Sequence, residues 1–277
     1  MYTYSEKYEF YRPTSLSDGA NPPYSDQAKA AANAIANTTL KSDYLAEFTA
    51  NYNKTWNEVH NFSGVAGYSV QKDMIDVLGV KATGYEDDHI TEVTGHGADP
   101  SDIQLNNTYK SNWTMLSYFA RLNYNYANKY YLTASFRGDA SSLFGPENRW
   151  GYFPSASVAW RMEQEEFLKE VDWLNQLKVR VSYGVTGNQS IDPYSTFSMY
   201  GSDGNYHYGN GNGEQESVLQ ITNLPNDGLT WEKTASWNAG LDFSLLRSRL
   251  SGTFDFYVKR TNDLLISRSL PGSAGFG

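Results

Sequence analysis

The chain has 277 residues, enough to bury a substantial core, and combines 15% aromatic with 40% hydrophobic residues. No apolar run approaches the roughly 18 residues that a membrane helix needs, so a helical membrane protein is excluded. The formal net charge of -9 argues against nucleic acid as a partner, since phosphate binding depends on Lys and Arg, and the absence of Cys excludes disulfides and thiolate metal sites.

The first part of the chain alternates strands with long polar segments. Residues 2–12 alternate loosely and are predicted to form a strand. The polar segment that follows contains an Ala-rich piece, residues 27–36, for which two turns of helix are predicted. Residues 43–56 and 61–71 then alternate cleanly on either side of a short turn at 57–60, which predicts a hairpin of two long strands.

The middle of the chain repeats this pattern. After a second polar segment, residues 72–112, alternation resumes at 113–126, and a turn at 127–128 leads into a strand over 129–141. A Gly- and Pro-containing loop separates that strand from the next, residues 150–161. One face of these two strands is apolar and carries Tyr130, Leu132, Ala134, Phe136, Trp150, Tyr152, Ala156, Val158 and Trp160.

The period changes after residue 161. In residues 162–176, apolar side chains recur at helical spacing and Glu165 precedes Lys169 by four residues, so a short amphipathic helix is predicted. Strands are predicted over residues 177–185, 229–245 and 249–265. Their connections are a polar segment, residues 186–228, and a tight turn, residues 247–248. In the strand over 229–245 the alternation assigns Trp231, Trp237 and Leu241 to the apolar face.

About nine strands result, most of them about 10 or more residues long, whereas strands of soluble domains average about 5 to 6. Tight turns also alternate with mostly long connections, as in a membrane barrel that has short periplasmic turns and long extracellular loops. The short helix falls where a tight turn is expected and would be periplasmic. We therefore predict an all-β fold, part of an antiparallel transmembrane β-barrel whose apolar face meets lipid.

Side chains on the two faces agree with this interpretation. The polar faces carry charges, as a wide water-filled lumen permits, and aromatic side chains on the apolar faces cluster near the tight turns, as in an interfacial girdle. The lumen-facing charges are predicted to be Arg121, Arg137, Asp139, Lys178, Arg180, Glu232 and Asp242. The girdle is predicted to contain Tyr124, Tyr126, Tyr130, Trp160 and Phe243.

Two alternatives stay open on the residues alone. A soluble β-rich carbohydrate-binding or glycosidase domain would turn the same apolar faces into a closed core. A surface adhesin barrel without a plug would share the membrane-facing pattern. Detergent-dependent extraction favours a membrane barrel, whereas a stable monomer in plain buffer favours the soluble domain.

Four long motifs resemble the barrel of SusC/RagA-type TonB-dependent outer-membrane transporters, and the resemblance covers roughly residues 40–277. One departure lies in a loop, where the usual arginine is replaced by Leu143. The motifs are YYLTASFRGDASSLFG at residues 130–145, NRWGYFPSASVAWRM at 148–162, LKVRVSYGVTGNQ at 177–189 and LTWEKTASWNAGLDFSLLRSRLSGTFDFYVKRTNDLL at 229–265.

This resemblance implies a 22-stranded barrel with an N-terminal plug and a TonB box, integral to the Gram-negative outer membrane. It further implies a SusD-like lipoprotein lid, TonB as the energy-delivering partner, and glycans or peptides as substrates. Nothing in residues 1–277 resembles the plug, the TonB box or a signal peptide. The chain is therefore expected to be an internal piece of the barrel domain that cannot close alone, since its edge strands would expose unpaired backbone groups to lipid.

Candidate binding residues come from the long polar segments, where aromatic side chains can stack on sugars or contact a lid, although packing within the loops is the simpler explanation. The acidic stretch 87–99 is interpreted as solvated rather than metal-binding. Glu165 and Glu166 could suggest glycoside hydrolysis but are interpreted as a solvated face of the predicted helix. No cluster of nucleophile, base and orienting group is visible in the sequence, so neither catalysis nor a cofactor is expected. The candidate ligand or lid contacts are Tyr85, Trp113, Tyr200, Tyr206 and Tyr208.

Overall fold

The computed structural model describes residues 2–11, 33–83, 103–209 and 215–266; for residue 2 and residues 6–11, 202–209, 215–220 and 222 it describes the backbone alone. Within these ranges the chain is mostly β-strand, as the alternating pattern predicts. The strands are β1 Tyr2–Tyr11, β2 Asn33–Trp56, β3 His60–Thr83, β4 Ile103–Leu105, β5 Tyr109–Tyr126, β6 Tyr130–Ser141, β7 Trp150–Arg161, β8 Leu174–Asn188, β9 Met199–Gly209, β10 Gln215–Asn223, β11 Glu232–Leu245 and β12 Leu250–Asn262.

The chain divides into two compact units. The first unit contains Met1–Leu45 and Gln71–Trp113, and the second contains Ala46–Val70 and Thr114–Gly277. Strands β2, β3 and β5 each contribute one part of their length to each unit. The candidate site residues are therefore divided between the units, and most of them belong to the second.

In the first unit, β1 runs antiparallel to the N-terminal part of β2, with Tyr2 opposite Ser42. The short strand β4 pairs antiparallel with the end of β3. Lys41 Nζ lies 3.3 Å from Asp73 Oδ2, and the Asp73 side chain is almost fully buried. This ion pair joins β2 to β3 where neither strand shows a regular apolar alternation.

Strands β2 and β3 each have 24 residues. The bounds predicted from the pattern, 43–56 and 61–71, are therefore too short. Alternation fades in the added residues, but ladder hydrogen bonds join backbone groups and require no alternation. The helix predicted over 27–36 is wrong for residues 33–36, which belong to β2; residues 27–32 lie outside the described ranges.

In the second unit, neighbouring strands follow the order β2, β3, β5, β6, β7, β8, β11 and β12. The pairs from β5 onward are antiparallel, with Tyr130 opposite Trp160 and Trp237 opposite Tyr183. With β1, the path through the sheet has the nine strands that the pattern predicts. Strands β9 and β10 form a separate antiparallel pair in the segment 186–228, which was predicted to be a loop.

The three predicted tight turns are confirmed. Residues 57–58, 127–128 and 247–248 all have positive φ, the conformation in which a two-residue turn matches the twist of its strands. The backbone N–H of Lys129 donates to the carbonyl of Tyr126 over 2.9 Å and closes the second turn. These turns join β2 to β3, β5 to β6 and β11 to β12.

The amphipathic helix predicted over residues 162–176 is wrong. Only Met162–Gln164 forms a helix, a single turn of 3-10 type, and turns continue to residue 173. Two glutamates account for the difference: Glu163 binds Arg161 and the backbone of Leu177, and Glu165 binds side chains of β6 and β7, instead of supporting a helix. Among the described residues, no helix has the length and apolar character needed to cross a membrane.

A small buried aromatic cluster lies at the end of the sheet opposite the tight turns. It contains Phe144, Phe153 and Trp231, and we call it the rim cluster. Trp231 Nε1 donates to the backbone carbonyl of Arg149 over 2.8 Å. The prediction that Trp231 lies on the apolar face is wrong. Strand β11 begins at Glu232, and the alternation of side chains between two faces does not apply to the residue before it.

Candidate functional site

Opposed residues in an antiparallel ladder share a face, so the register defines two surfaces in the second unit. The apolar face carries Leu132, Val158 and Trp237, and the polar face carries Arg137, Arg180 and Asp242. Large apolar side chains on the apolar face are exposed, with Phe136 at 49% and Trp237 at 58%. Others exposed on it are Tyr118, Leu122, Leu132, Tyr152, Val158, Val181, Leu241, Phe254, Phe256 and Val258.

An aromatic row follows the apolar face beside the tight turns. The ring of His60 lies 5.0 Å from that of Tyr126, which stacks on Tyr130 at 6.3 Å, and Tyr130 stacks on Trp160 at 6.3 Å. Tyr124 joins the row through a 2.7 Å hydrogen bond between its hydroxyl and His60 Nδ1. Three of the residues predicted for a girdle, Tyr126, Tyr130 and Trp160, therefore stack in one continuous line.

Glu165 connects this row to the segment after β7. Its Oε1 accepts hydrogen bonds from Tyr130 Oη at 2.5 Å and from Trp160 Nε1 at 3.1 Å, while Oε2 lies 3.3 Å from Lys129 Nζ. The hydrogen bond from Tyr130, then that from Trp160, and the charge of Lys129 lower the pKa of Glu165. The predicted pairing with Lys169 is replaced by these contacts, and Lys169 instead approaches Glu166 at 3.6 Å.

On the polar face, an ion-pair network crosses three strands. Arg180 of β8 donates from Nε and Nη2 to both carboxylate oxygens of Asp242 on β11, at 3.2 and 3.3 Å. Its Nη2 also lies 3.0 Å from the carboxylate of Asp255 on β12. Thr253 Oγ1 donates to Asp242 at 3.1 Å. The pairing fixes the charged groups against the strands and leaves the guanidinium at the surface of the polar face.

A second pair on the polar face lies closer to the rim cluster. Arg137 Nε donates to both oxygens of Asp139 at 2.8 and 2.9 Å, and its Nη2 donates to Ser117 Oγ at 3.0 Å. Asp139 is only 6% exposed. The Arg137 guanidinium also lies over the ring of Phe119, 5.8 Å from its centroid. Burial of the carboxylate is thus compensated by a charge-assisted, bifurcated hydrogen bond from Nε to both of its oxygens.

The remaining predicted charges also lie on the polar face. Arg121 Nε donates to Asn123 at 3.3 Å. Glu232 accepts a hydrogen bond from Asn188 at 3.4 Å and another from the backbone N–H of Leu265 at 3.1 Å. The residues singled out for lumen-facing charge are therefore brought to one face of the sheet, mostly as local pairs rather than as one site.

The candidate ligand-binding aromatics are not brought together in the described residues. Tyr85 lies outside the described ranges, as does the acidic stretch 87–99. Trp113 is half-buried within β5 rather than in a loop. Tyr200 lies in β9 and is 65% exposed. Tyr206 and Tyr208 belong to the same strand, and only their backbone is described.

Sequence reasoning missed Gly240 and Asp255, and it did not predict the contacts of Glu165 with Tyr130 and Trp160. A Cβ on Gly240 would lie 2.7 Å from Arg180 Cζ, so this glycine leaves the space that the guanidinium occupies. Glycine inside a strand is the signal that could have indicated a close approach. No cluster of three or more His, Asp or Glu suited to a metal occurs in the described part of the chain.

An antiparallel sheet with long strands, an exposed apolar face, an aromatic row beside its tight turns and an ion-paired polar face has the features of the wall of a membrane β-barrel. The chain belongs to the TonB-dependent receptor-like β-barrel family, whose model, described as "TonB dependent receptor-like, beta-barrel", matches residues 1–277.

Two curated relatives are named TonB-dependent receptors. TonB-dependent receptor SusC of Bacteroides thetaiotaomicron is 36% identical over 259 residues, covering 86% of this chain and 25% of SusC. TonB-dependent receptor P39 of Formosa agariphila is 35% identical over 234 residues, covering 84% of this chain and 22% of that protein. The chain thus spans about a quarter of the length of these relatives.

Solved structures agree with the fold. The RagAB peptide transporter superimposes with a TM-score of 0.83 at 28% identity, covering 99% of this chain and 29% of the matched chain. The RagAB peptide importer in its closed-closed state gives a TM-score of 0.82 at 27% identity, covering 99% of this chain and 28% of that chain. The all-β antiparallel fold expected from the resemblance is therefore confirmed, as is the family.

Proposed function

We propose that this chain forms part of the barrel wall of an outer-membrane importer that takes up glycans or peptides with energy delivered by TonB. In this proposal residues 1–277 are a partial barrel domain of a longer protein. The apolar face meets lipid, and the polar face lines a water-filled passage. The chain contributes selective contacts and gated passage rather than catalysis.

The exposure of the apolar face carries this proposal. Monomeric soluble proteins rarely expose contiguous apolar patches of more than a few hundred Å². Here large aromatic and aliphatic side chains remain exposed along successive strands, while Asp139 and Ser117 on the opposite face are buried. A soluble carbohydrate-binding or glycosidase domain would require the reverse arrangement, with the apolar side chains packed inside.

The proposed partners follow from the relatives. SusC is named a TonB-dependent receptor and RagAB a peptide transporter. By this likeness, the importer would work with a SusD-like lipoprotein as an external lid and would contact TonB through an N-terminal region. Arg137, Arg180 and Asp242 would then contribute to the electrostatic field of the passage, although each is already paired across or along strands.

Energy-dependent uptake tests the proposal. Cells that produce the intact protein are supplied with fluorescent oligosaccharides or short peptides, with and without a functional TonB, and periplasmic accumulation is measured. We expect accumulation only when TonB is present and its loss on addition of a protonophore. Uptake that persists without TonB, or purification of a folded monomer in buffer without detergent, would contradict the proposal.

A further inference from the structure

A cavity of ≈ 780 Å³ lies among the connections at the end of the sheet opposite the tight turns. Its walls come from the connection after β8, the residues preceding β11 and the residues following β12. No function was assigned to this cavity from the sequence, because its walls come from parts of the chain that are distant in sequence. Residues that define it are Ile191, Asp192, Asn223, Leu224, Leu265 and Ile266.

Hydrogen bonds hold two of these walls together. Asn223 Nδ2 donates to the backbone carbonyls of Phe197 at 2.9 Å and Ser195 at 3.2 Å. The backbone N–H of Asn226 donates to the carbonyl of Thr196, a buried residue, at 3.2 Å. Because loop backbone is fixed to loop backbone, the cavity is formed before any ligand arrives, which lowers the entropic cost of binding.

The lining combines aliphatic side chains with serine and asparagine side chains, and Asp192 is its single carboxylate. Ile266 is 80% exposed and Leu224 is 38% exposed, so both present apolar surface that nothing described covers. The Asp192 carboxylate has no hydrogen-bond or ion-pair partner among the described residues. Of the eleven residues that line the cavity, none is Lys, Arg or His and none is aromatic. The lining therefore favours a positive charge and an aliphatic group.

We propose that this cavity binds a peptide segment in which a cationic group, such as a lysine side chain, is adjacent to an aliphatic side chain. The proposal rests on the proposed import function and specifies its substrate class. The cation would form a charge-assisted hydrogen bond with Asp192, and the aliphatic side chain would cover Leu224 and Ile266. Acidic glycans would be repelled by Asp192, and neutral glycans would find no aromatic surface for stacking.

Binding of three matched peptides tests this assignment. Acetyl-Ile-Lys-Ile-amide, its norleucine analogue and its glutamate analogue are titrated into the intact protein in detergent and followed by calorimetry. We expect the lysine peptide to bind tightest and the glutamate peptide weakest. Asp192→Asn should weaken binding of the lysine peptide about tenfold and leave binding of the norleucine peptide unchanged, since only the charge contact is removed.

Control variants identify the cavity as the site. Asp227→Asn removes a charge from an exposed residue near the cavity that does not line it, so it should leave all three affinities unchanged. Ile266→Ser should weaken binding of the lysine peptide and of the norleucine peptide equally. Equal affinity of the wild type and Asp192→Asn for the lysine peptide, or tighter binding of an oligogalacturonate than of that peptide, would overturn the proposal.

The uptake experiment separates this inference from the import function. If TonB-dependent uptake occurs but the lysine peptide does not depend on Asp192, the cavity assignment fails and the import function stands. If the lysine peptide binds with the expected dependence on Asp192 but nothing is taken up, the import function fails and the cavity assignment stands.

Discussion

Gly240 of β11 lies beside the guanidinium of Arg180: a Cβ at this position would come within 2.7 Å of Arg180 Cζ and 2.8 Å of Asp255 Oδ1. The missing side chain therefore lets Arg180 reach past β11 from one carboxylate, Asp242, to another, Asp255, on the next strand. One glycine thus makes room for an ion-pair network across three strands.

Gly240→Ala is expected to displace the Arg180 guanidinium from Asp255. The atoms in the way are the ends of flexible side chains, so the backbone need not move and the cost should be the lost ion pair, about 1 kcal/mol in the free energy of unfolding. Urea unfolding in phospholipid vesicles, monitored by tryptophan fluorescence, measures this change in the free energy of unfolding. The control is Gly138→Ala, where the nearest atom lies 3.4 Å away; an equal loss in both variants would contradict this explanation.

Gly187→Ala should lower the free energy of unfolding more than Gly240→Ala does. A Cβ at residue 187 would lie 2.1 Å from Phe153 Cζ, and Phe153 is buried in the rim cluster between that strand and Trp231. A buried ring cannot swing into solvent as an arginine can, so overpacking should lower the free energy of unfolding by about 1–3 kcal/mol. The same unfolding assay compares the two variants. A smaller loss for Gly187→Ala would show that the ring has room to move.

The rim cluster also marks where sequence reasoning fails. Alternation predicted the sheet, its tight turns and the face of Trp237, because strand geometry imposes a period of two on every residue within a strand. Trp231 precedes β11 and is placed instead by its indole hydrogen bond to Arg149 and by contact with Phe144 and Phe153. Such contacts join residues about 80 positions apart, and no local pattern encodes them.

The prediction of a helix after β7 failed for a related reason. Helical spacing of apolar residues competes with the strong acceptors Glu163 and Glu165, which bind groups on the strands and hold the segment in turns. Leu143 shows a further case: the family resemblance implied an arginine at this position, and the leucine present there is buried. Its side chain is apolar and packed, so it cannot take over any role that depends on a charge at this position.

Stability conferred by Glu165 is expected to depend on pH. Its pKa is lowered in the folded protein by Tyr130, Trp160 and Lys129, so its contribution is fully present above its unfolded pKa of about 4.3. As pH falls through the depressed pKa, that contribution is lost. The difference in free energy of unfolding between wild type and Glu165→Ala should therefore be constant from pH 7 to about pH 5 and shrink below about pH 4.

Two variants separate charge from hydrogen bonding at this position. Glu165→Gln keeps an oxygen that accepts hydrogen bonds from Tyr130 and Trp160 but has no carboxylate to titrate, so its stability should lack this pH-dependent contribution. Glu166→Gln removes an exposed carboxylate whose described contact is Lys169 at 3.6 Å, and it should behave as wild type. If Glu165→Gln loses stability on acidification as wild type does, another group is responsible.

A charge placed on each face of β11 tests which face meets lipid. Trp237→Arg puts a guanidinium on the exposed apolar face, where burial in hydrocarbon should cost about 2–4 kcal/mol near the membrane midplane. Asn238→Arg, one residue along the strand, puts the same group on the polar face and should be tolerated. Unfolding of both variants in phospholipid vesicles gives the comparison. Equal tolerance of the two arginines, or greater loss from Asn238→Arg, would mean that the apolar face does not contact acyl chains.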